Sequence, residues 1–374
     1  MKLIVKTAAL NKVLTEAVDA IPNNSAEPSY YNFLFEVTSK TIEIIASDGN
    51  ATLKTTLNST DGDKQIILDA EPGKVQIPAR FFLDIIKMIK ADTVTIQTAD
   101  SNLLTVEAQG AKYRLNSTSA SEYPDVYMDF DESKAMKVSH ADFCKLFNST
   151  SFAAASKNSK QCFTGINIFT KDGRLYFKAT DAYRLAQRSI ELPGAPETEF
   201  TVATKVIGMI AKKADAETVE FEANDNKAIF RAGDTIFQSR LYAGEFPDVD
   251  KLYPKALNYH LRARAEDILE CLRQVTVVIR DSQTQGPTTL TCSADSCEFT
   301  ASSQEYGEAK GSLSDFTFEG GMLRIAFNAK YVAEAITALN SEDVTLDFVG
   351  DSAVFLARSS DPFNVQIITP MRQR

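Results

Sequence analysis

Histidine is nearly absent from this chain: among 374 residues there are two, His140 and His260. No HxxxH spacing occurs, so neither a Ser-His-Asp arrangement nor a histidine metal cluster fits. Phosphate-cradling loops are missing as well, since the chain has no G-x-x-x-x-G-K-[ST] and no G-x-G-x-x-G after a strand. Cysteine is scarce. The five residues Cys144, Cys162, Cys271, Cys292 and Cys297 form an odd, scattered set, which argues against a secreted disulfide framework. Only Cys292 and Cys297 are close, and a C-x4-C without a second pair or a neighbouring histidine reads as thiols rather than zinc ligands. No metal, cofactor or catalytic group is expected. Carboxylates such as Asp48, Asp181 and Asp248 are plentiful, and sequence alone does not separate a carboxylate-dependent hydrolase from ordinary surface acid.

Long apolar runs are also lacking. Nothing approaches the roughly 18–20 residues that span a bilayer, and the opening MKLIVKTAALNKVL carries Lys6 and Lys12 through what would be a signal core. The expected address is cytoplasmic, with no membrane partner. The net charge of −10 argues against nucleic acid at first sight, but a whole-chain charge does not locate the lysines.

What is present is repetition. EYPDV at 122–126 returns as EFPDV at 245–249. Around these echoes an order of basic residue, apolar helix, acidic turn and alternating strand occurs three times, at 78–100, 203–225 and 328–351. Arg80, Lys205 and Lys330 are successively 125 residues apart, and so are Val94, Val219 and Val344. Helical spacing predicts a further helix opening each third, over 7–21, 139–154 and 265–279. Alternating β-rich runs lie between the helices. Each unit is therefore an α+β domain with two helices on antiparallel sheet, and the expected domains are residues 1–127, 128–252 and 253–374. The prolines of EYPDV and EFPDV stop a strand and suit crossings between domains.

Arg80 with Lys87, and Lys205 with Lys212, share one side of their helices, because residues seven apart differ by only about 20°. Lys12 and Lys145 interrupt the apolar positions of the first helix in their units. Equivalent helices thus present a mildly cationic face within an acidic molecule. The third copy keeps Lys330 but has Thr337 at the second position.

Four stretches resemble one family, the bacterial sliding clamps, the beta subunit of DNA polymerase III. They are ATDAYRLA at 179–186, LYAGEFPDVDKLYPK at 241–255, FNAKYV at 327–332 and ITPMR at 368–372, in family order along the whole chain. The resemblance implies a DNA clamp fold of three similar domains in a head-to-tail dimeric ring, helices lining a hole for duplex DNA. It implies a non-catalytic processivity factor that binds double-stranded DNA without reading sequence. Its partners would be a second copy, the replicative DNA polymerase, the clamp loader and other clamp-motif proteins. DNA-facing cations would be Lys12, Arg80, Lys87, Lys145, Lys157, Lys160, Lys205 and Lys212.

By the same resemblance, a groove for short hydrophobic peptides would include Phe163, Thr180, Ala182, Tyr183, Arg184, Leu185 and Pro247. Leu252, Tyr331, Val354, Ile368, Pro370, Met371 and Arg372 would complete it, with the apolar walls supplying area and the arginines orienting the peptide. The ring interface would use Tyr113 and Leu115 from the first domain and Val278 and Ile279 from the third. Departures from the family pattern are Ala182-Tyr183 in place of a Gly/Ser-His pair, Asn24 where a DNA-contacting arginine commonly sits, and the tail Gln373-Arg374. Two other readings of the residues are a solitary repeat-built peptide-binding module and the carboxylate-dependent hydrolase.

Overall fold

Among the described residues, six α-helices form where the apolar spacing predicts them: α1 (Thr7–Ala17), α2 (Ala79–Met88), α3 (His140–Thr150), α4 (Thr204–Ala211), α5 (Ala265–Thr276) and α6 (Ala329–Leu339). The computed structural model describes residues 1–99, 102–279 and 286–372, so the expectation about Gln373 and Arg374 lies outside the described residues. Helix ends are shorter than the sequence pattern predicts. The first and third helices finish in 3-10 turns, Val18–Ala20 and Ser151–Ala153, and α5 stops at Thr276.

The helices are amphipathic and bury one stripe. In α2 that stripe is Phe82, Leu83, Ile85 and Ile86; in α6 it is Val332, Ala335, Ile336 and Leu339. Local signals set the ends of α6. Asn328 caps its start by accepting from the Lys330 amide at 3.0 Å. Asn340 closes it in the left-handed conformation at φ 48°, a role that asparagine tolerates.

The chain gathers into two compact units, Met1–Phe143 with Lys205–Leu241, and Cys144–Thr204 with Tyr242–Arg374. In the first unit, an eight-stranded antiparallel sheet runs from Met136–Ser139 through Thr218–Ala223, Lys227–Ala232 and Thr235–Arg240 to Ala51–Asn58, Thr41–Ser47, Asn32–Val37 and Gly73–Pro78. A five-stranded sheet in the same unit ends on Ala111–Asn116. In the second unit, a nine-stranded sheet carries Arg184–Glu191 beside Asn364–Ile368, and a four-stranded sheet runs from Gly307–Leu313 to Leu323–Phe327.

Two of these pairings join strands that the repeat assigns to different domains. Phe237 faces Leu53, and Leu185 faces Ile367. Each such pairing satisfies backbone groups that an edge strand would leave open. EFPDV follows one of those strands, Thr235–Arg240, whereas EYPDV follows Ala111–Asn116, and both segments are anchored by packing as well as by turn chemistry. Tyr123 of EYPDV is buried with Leu34 and Ile45, its ring edge-on to Tyr30 at 6.1 Å. In EFPDV, Val249 is buried and Phe246 half-buried against Leu185, Leu356 and Ile367.

Candidate partner groove and cationic helix faces

A three-residue turn, Asp181-Ala182-Tyr183, joins strands Arg174–Thr180 and Arg184–Glu191. Asp181 Oδ1 accepts from the amides of Tyr183 at 2.9 Å and Arg184 at 3.1 Å, an aspartate doing the work of backbone. Thr180 Oγ1 accepts from the Ala182 amide and donates to the Arg184 carbonyl at 2.6 Å. The turn places Ala182 at φ 78°, a region where a side chain is strained and glycine is at ease. Tyr183 projects outward, 63% exposed.

Arg184 is the best-satisfied cation of the predicted set. Its side chain is only 9% exposed; Nε donates to Asp181 at 3.1 Å, one terminal nitrogen pairs with Glu334, and the other reaches the Phe152 carbonyl at 2.5 Å. Its guanidinium also lies 4.4 Å from the Tyr331 ring centroid and 5.1 Å from that of Phe152. Burial pushes the Tyr331 phenol above its ordinary pKa. Arg184 thus ties the turn to α6. Sequence reasoning named Arg184 and Tyr331 but missed Phe152 and Glu334; the signal for Glu334 was its place four residues beyond Lys330 on one helix face.

The C-terminal segment runs alongside this turn. The Thr369 amide donates to the Tyr183 carbonyl at 2.9 Å, and the Met371 amide to the Ala326 carbonyl at 2.7 Å. Leu185 lies in an apolar cluster with Val249, Leu356 and Ile367, against which Val354, Phe246 and Tyr253 pack. Thr180 and Ile368 are buried. Phe163, Pro247, Pro370 and Met371 are half-buried, while Arg372 and Leu252 (43%) are exposed. Tyr183 and Leu252 are thus exposed, while Leu185 and Val249, close to them in sequence, are buried. A different cavity, about 440 Å3, opens between α5 and α6 and is lined by Leu269, Leu272, Ala333 and Thr337, with none of the expected groove residues.

All eight predicted DNA-facing cations are exposed. In the first unit several are already engaged. Lys12 pairs with Asp215 at 2.6 Å, Lys205 with Asp48 at 2.7 Å and Lys212 with Asp19 at 2.7 Å. Arg80 donates to the Ile21 carbonyl and to Asn23 Oδ1 at 2.9 Å. Burial alone would raise the Asp215 pKa, but hydrogen bonds from Lys12 and Lys213 outweigh it and hold the carboxyl below its ordinary value. These pairings were missed because partners more than 150 residues apart in sequence carry no local signal. In the second unit, Lys145, Lys157 and Lys160 are on the surface.

The expected ring-interface residues divide. Leu115 and Ile279 are buried within the chain's own cores, whereas Tyr113 and Val278 are half-buried. Val277, which the sequence did not single out, is 63% exposed. Tyr113 stands on the outermost strand of the five-stranded sheet.

The carboxylates of the hydrolase reading each hold a cation: Asp48 with Lys205, Asp181 with Arg184, Asp248 with Lys251 at 2.9 Å. Cys292 and Cys297 face each other across a hairpin and are buried. Among the described residues, no group of three or more His, Cys, Asp or Glu is placed to hold a metal ion. No described helix is long and apolar enough to cross a membrane.

Among the described residues, three pairs of helices on antiparallel sheets, with lysines exposed on helix faces, are the arrangement of the DNA clamp class. Comparison with known proteins makes the assignment specific. The family models for the DNA polymerase III beta subunit match in order: the N-terminal domain over residues 1–127, the central domain over 137–248 and the C-terminal domain over 250–372. The beta sliding clamp of Bacillus subtilis is 25% identical over 377 residues, covering all of both chains; that of Staphylococcus epidermidis is also 25% identical, covering all of this chain and 99% of the relative. The crystal structure of the Bacillus subtilis sliding clamp superposes with a TM-score of 0.94 at 24% identity, and that of the Streptococcus pneumoniae beta chain with 0.93 at 22%, each covering all of both chains. The chain belongs to the DNA polymerase III beta subunit family. It is a beta sliding clamp, a non-catalytic processivity factor of DNA polymerase, and membership implies DNA and a polymerase as its partners.

Proposed function

We propose that this clamp closes as a head-to-tail homodimer around duplex DNA, holds it without base readout, and presents the 180–185 turn and C-terminal segment to hydrophobic peptides of its partners. The observation that supports the peptide groove is the exposure of Tyr183 and Leu252, each close in sequence to a member of the Leu185 cluster, with the C-terminal segment hydrogen-bonded to Tyr183. A replicative polymerase, a clamp loader and other clamp-motif proteins would compete for that single surface, in the cytoplasm. The domain limits 1–127, 128–252 and 253–374 accord with the 125-residue period.

Ring closure is supported by two open edges. Ala111–Asn116 bounds the five-stranded sheet and Gly307–Leu313 the four-stranded one. Pairing such edges between copies would remove two sticky surfaces and, by rotation, close a ring rather than extend a filament. Lysines on helix faces would then contact phosphates alone, which permits sliding.

The test is retention. A loaded dimer is expected to stay on closed circular DNA at moderate salt and to leave after linearisation. Equal retention on both forms, or a monomer in solution, would reject encirclement.

A further inference from the structure

Three lysines, Lys12 on α1, Lys205 on α4 and Lys212 just past its end, each pair with a carboxylate of the same unit: Lys12 with Asp215, which Lys213 also holds, Lys205 with Asp48 and Lys212 with Asp19. We propose that Asp19, Asp48 and Asp215 are built-in competitors of the DNA phosphates, keeping these lysines charge-compensated in the free clamp and limiting how tightly it grips duplex DNA. The proposal rests on the reading that these helix faces meet DNA.

Two of the acids are fixed. Asp48 Oδ1 accepts from the amides of Asn50 at 3.0 Å and Ala51 at 2.8 Å, which leaves Oδ2 for Lys205. Asp215 is held by Lys213, whose side chain is only 5% exposed and which also binds Glu16 at 2.8 Å. The lysines are the movable members. The side chains of Lys12, Lys205 and Lys212 are 57%, 40% and 72% exposed, and exposed ion pairs of this kind are weak and labile. A phosphate can therefore draw the ammonium away, but the Asp48 and Asp215 carboxylates stay behind.

The consequence follows from counterion release. A lysine that meets phosphate displaces a condensed cation and steepens the salt dependence of binding. A lysine compensated by a fixed carboxylate contributes less to both affinity and slope, because the phosphate approaches a retained negative charge. A protein that must slide gains from such a limit. Buried Lys213 marks the contrast, since it is inaccessible and serves to position Asp215 and Glu16.

The test measures full-length protein binding to a short labelled duplex by fluorescence anisotropy across a salt series. The combined Asp19→Asn, Asp48→Asn, Asp215→Asn variant keeps an oxygen for each local hydrogen bond. It is expected to bind at least about tenfold more tightly at low salt, with a slope steeper by about 0.9 for each lysine released. Adding Lys12→Gln, Lys205→Gln and Lys212→Gln should abolish that gain, and Asp48→Asn alone should give part of it even if the triple variant folds poorly. A gain that survives loss of the lysines is a general charge effect and overturns the proposal. An unchanged slope in the aspartate variant, with a shallower slope in the lysine variant, overturns the proposal while leaving the DNA-face reading intact. If neither set changes the slope, the DNA-face reading fails and takes the proposal with it.

Discussion

The Arg184 guanidinium carbon sits over the Tyr331 ring, 4.4 Å from its centroid, while Asp181 and Glu334 pair with the cation. Arg184 is thus a bracket between the 181–183 turn and α6, and its planar fork matters more than its charge. Arg184→Lys keeps the charge but cannot span both carboxylates and the Phe152 carbonyl. It should destabilise the protein by about 2 kcal/mol, less than the roughly 3–5 kcal/mol of a fully broken buried pair because the charge is kept, with loss of affinity for clamp-binding peptides. Thermal unfolding and peptide titration check this; an unchanged melting temperature would remove the bracket role.

Ala182 offers a test of backbone strain. At φ 78° it occupies a conformation that costs a non-glycine residue about 1 kcal/mol. Ala182→Gly should raise stability slightly, because the relief is partly offset by glycine's greater unfolded-state freedom. Ala182→Val should cost about 2 kcal/mol, since β-branched residues tolerate this region least. Denaturation midpoints of the two variants should therefore move in opposite directions.

For the peptide groove, Met371→Ala should weaken a hydrophobic clamp-binding peptide by more than about 1 kcal/mol, the scale of an interface anchor. Tyr183→Ala should weaken it without altering the fold, because that side chain is largely exposed. Anisotropy of a labelled peptide reads both, and unaltered affinity in the two variants would move the binding surface elsewhere.

Acid should loosen the first unit at identifiable carboxylates. Glu220 is held below its ordinary pKa of 4.5 by hydrogen bonds from Lys137 and then Arg231, and Asp215 lies below its ordinary 3.8 despite burial. A carboxyl whose folded pKa is lowered stabilises the protein fully above its unfolded value and loses that contribution as pH falls through the folded one. Glu220→Gln should therefore melt lower than the parent at pH 7, with the gap closing below about pH 4. A gap independent of pH would mean that the loss is packing rather than charge.

Much of this was legible in the chain itself. The 3.6-residue apolar period determined six helices, and the 125-residue recurrence of Arg80, Lys205 and Lys330 determined a threefold α+β plan, because both depend on near-neighbour spacing and simple repetition. The short motifs marked the turn at 180–185 and the C-terminal segment. Tertiary structure decided what those residues touch. It paired Lys12 with Asp215 and Lys205 with Asp48 across sequence separations that no local pattern encodes. It turned Arg184 inward, joined Thr235–Arg240 to Ala51–Asn58, and buried Leu115 and Ile279. Side-chain contacts between distant segments are fixed only when the chain closes, so a cation's sequence position revealed its helix face, and the fold revealed which carboxylate had claimed it.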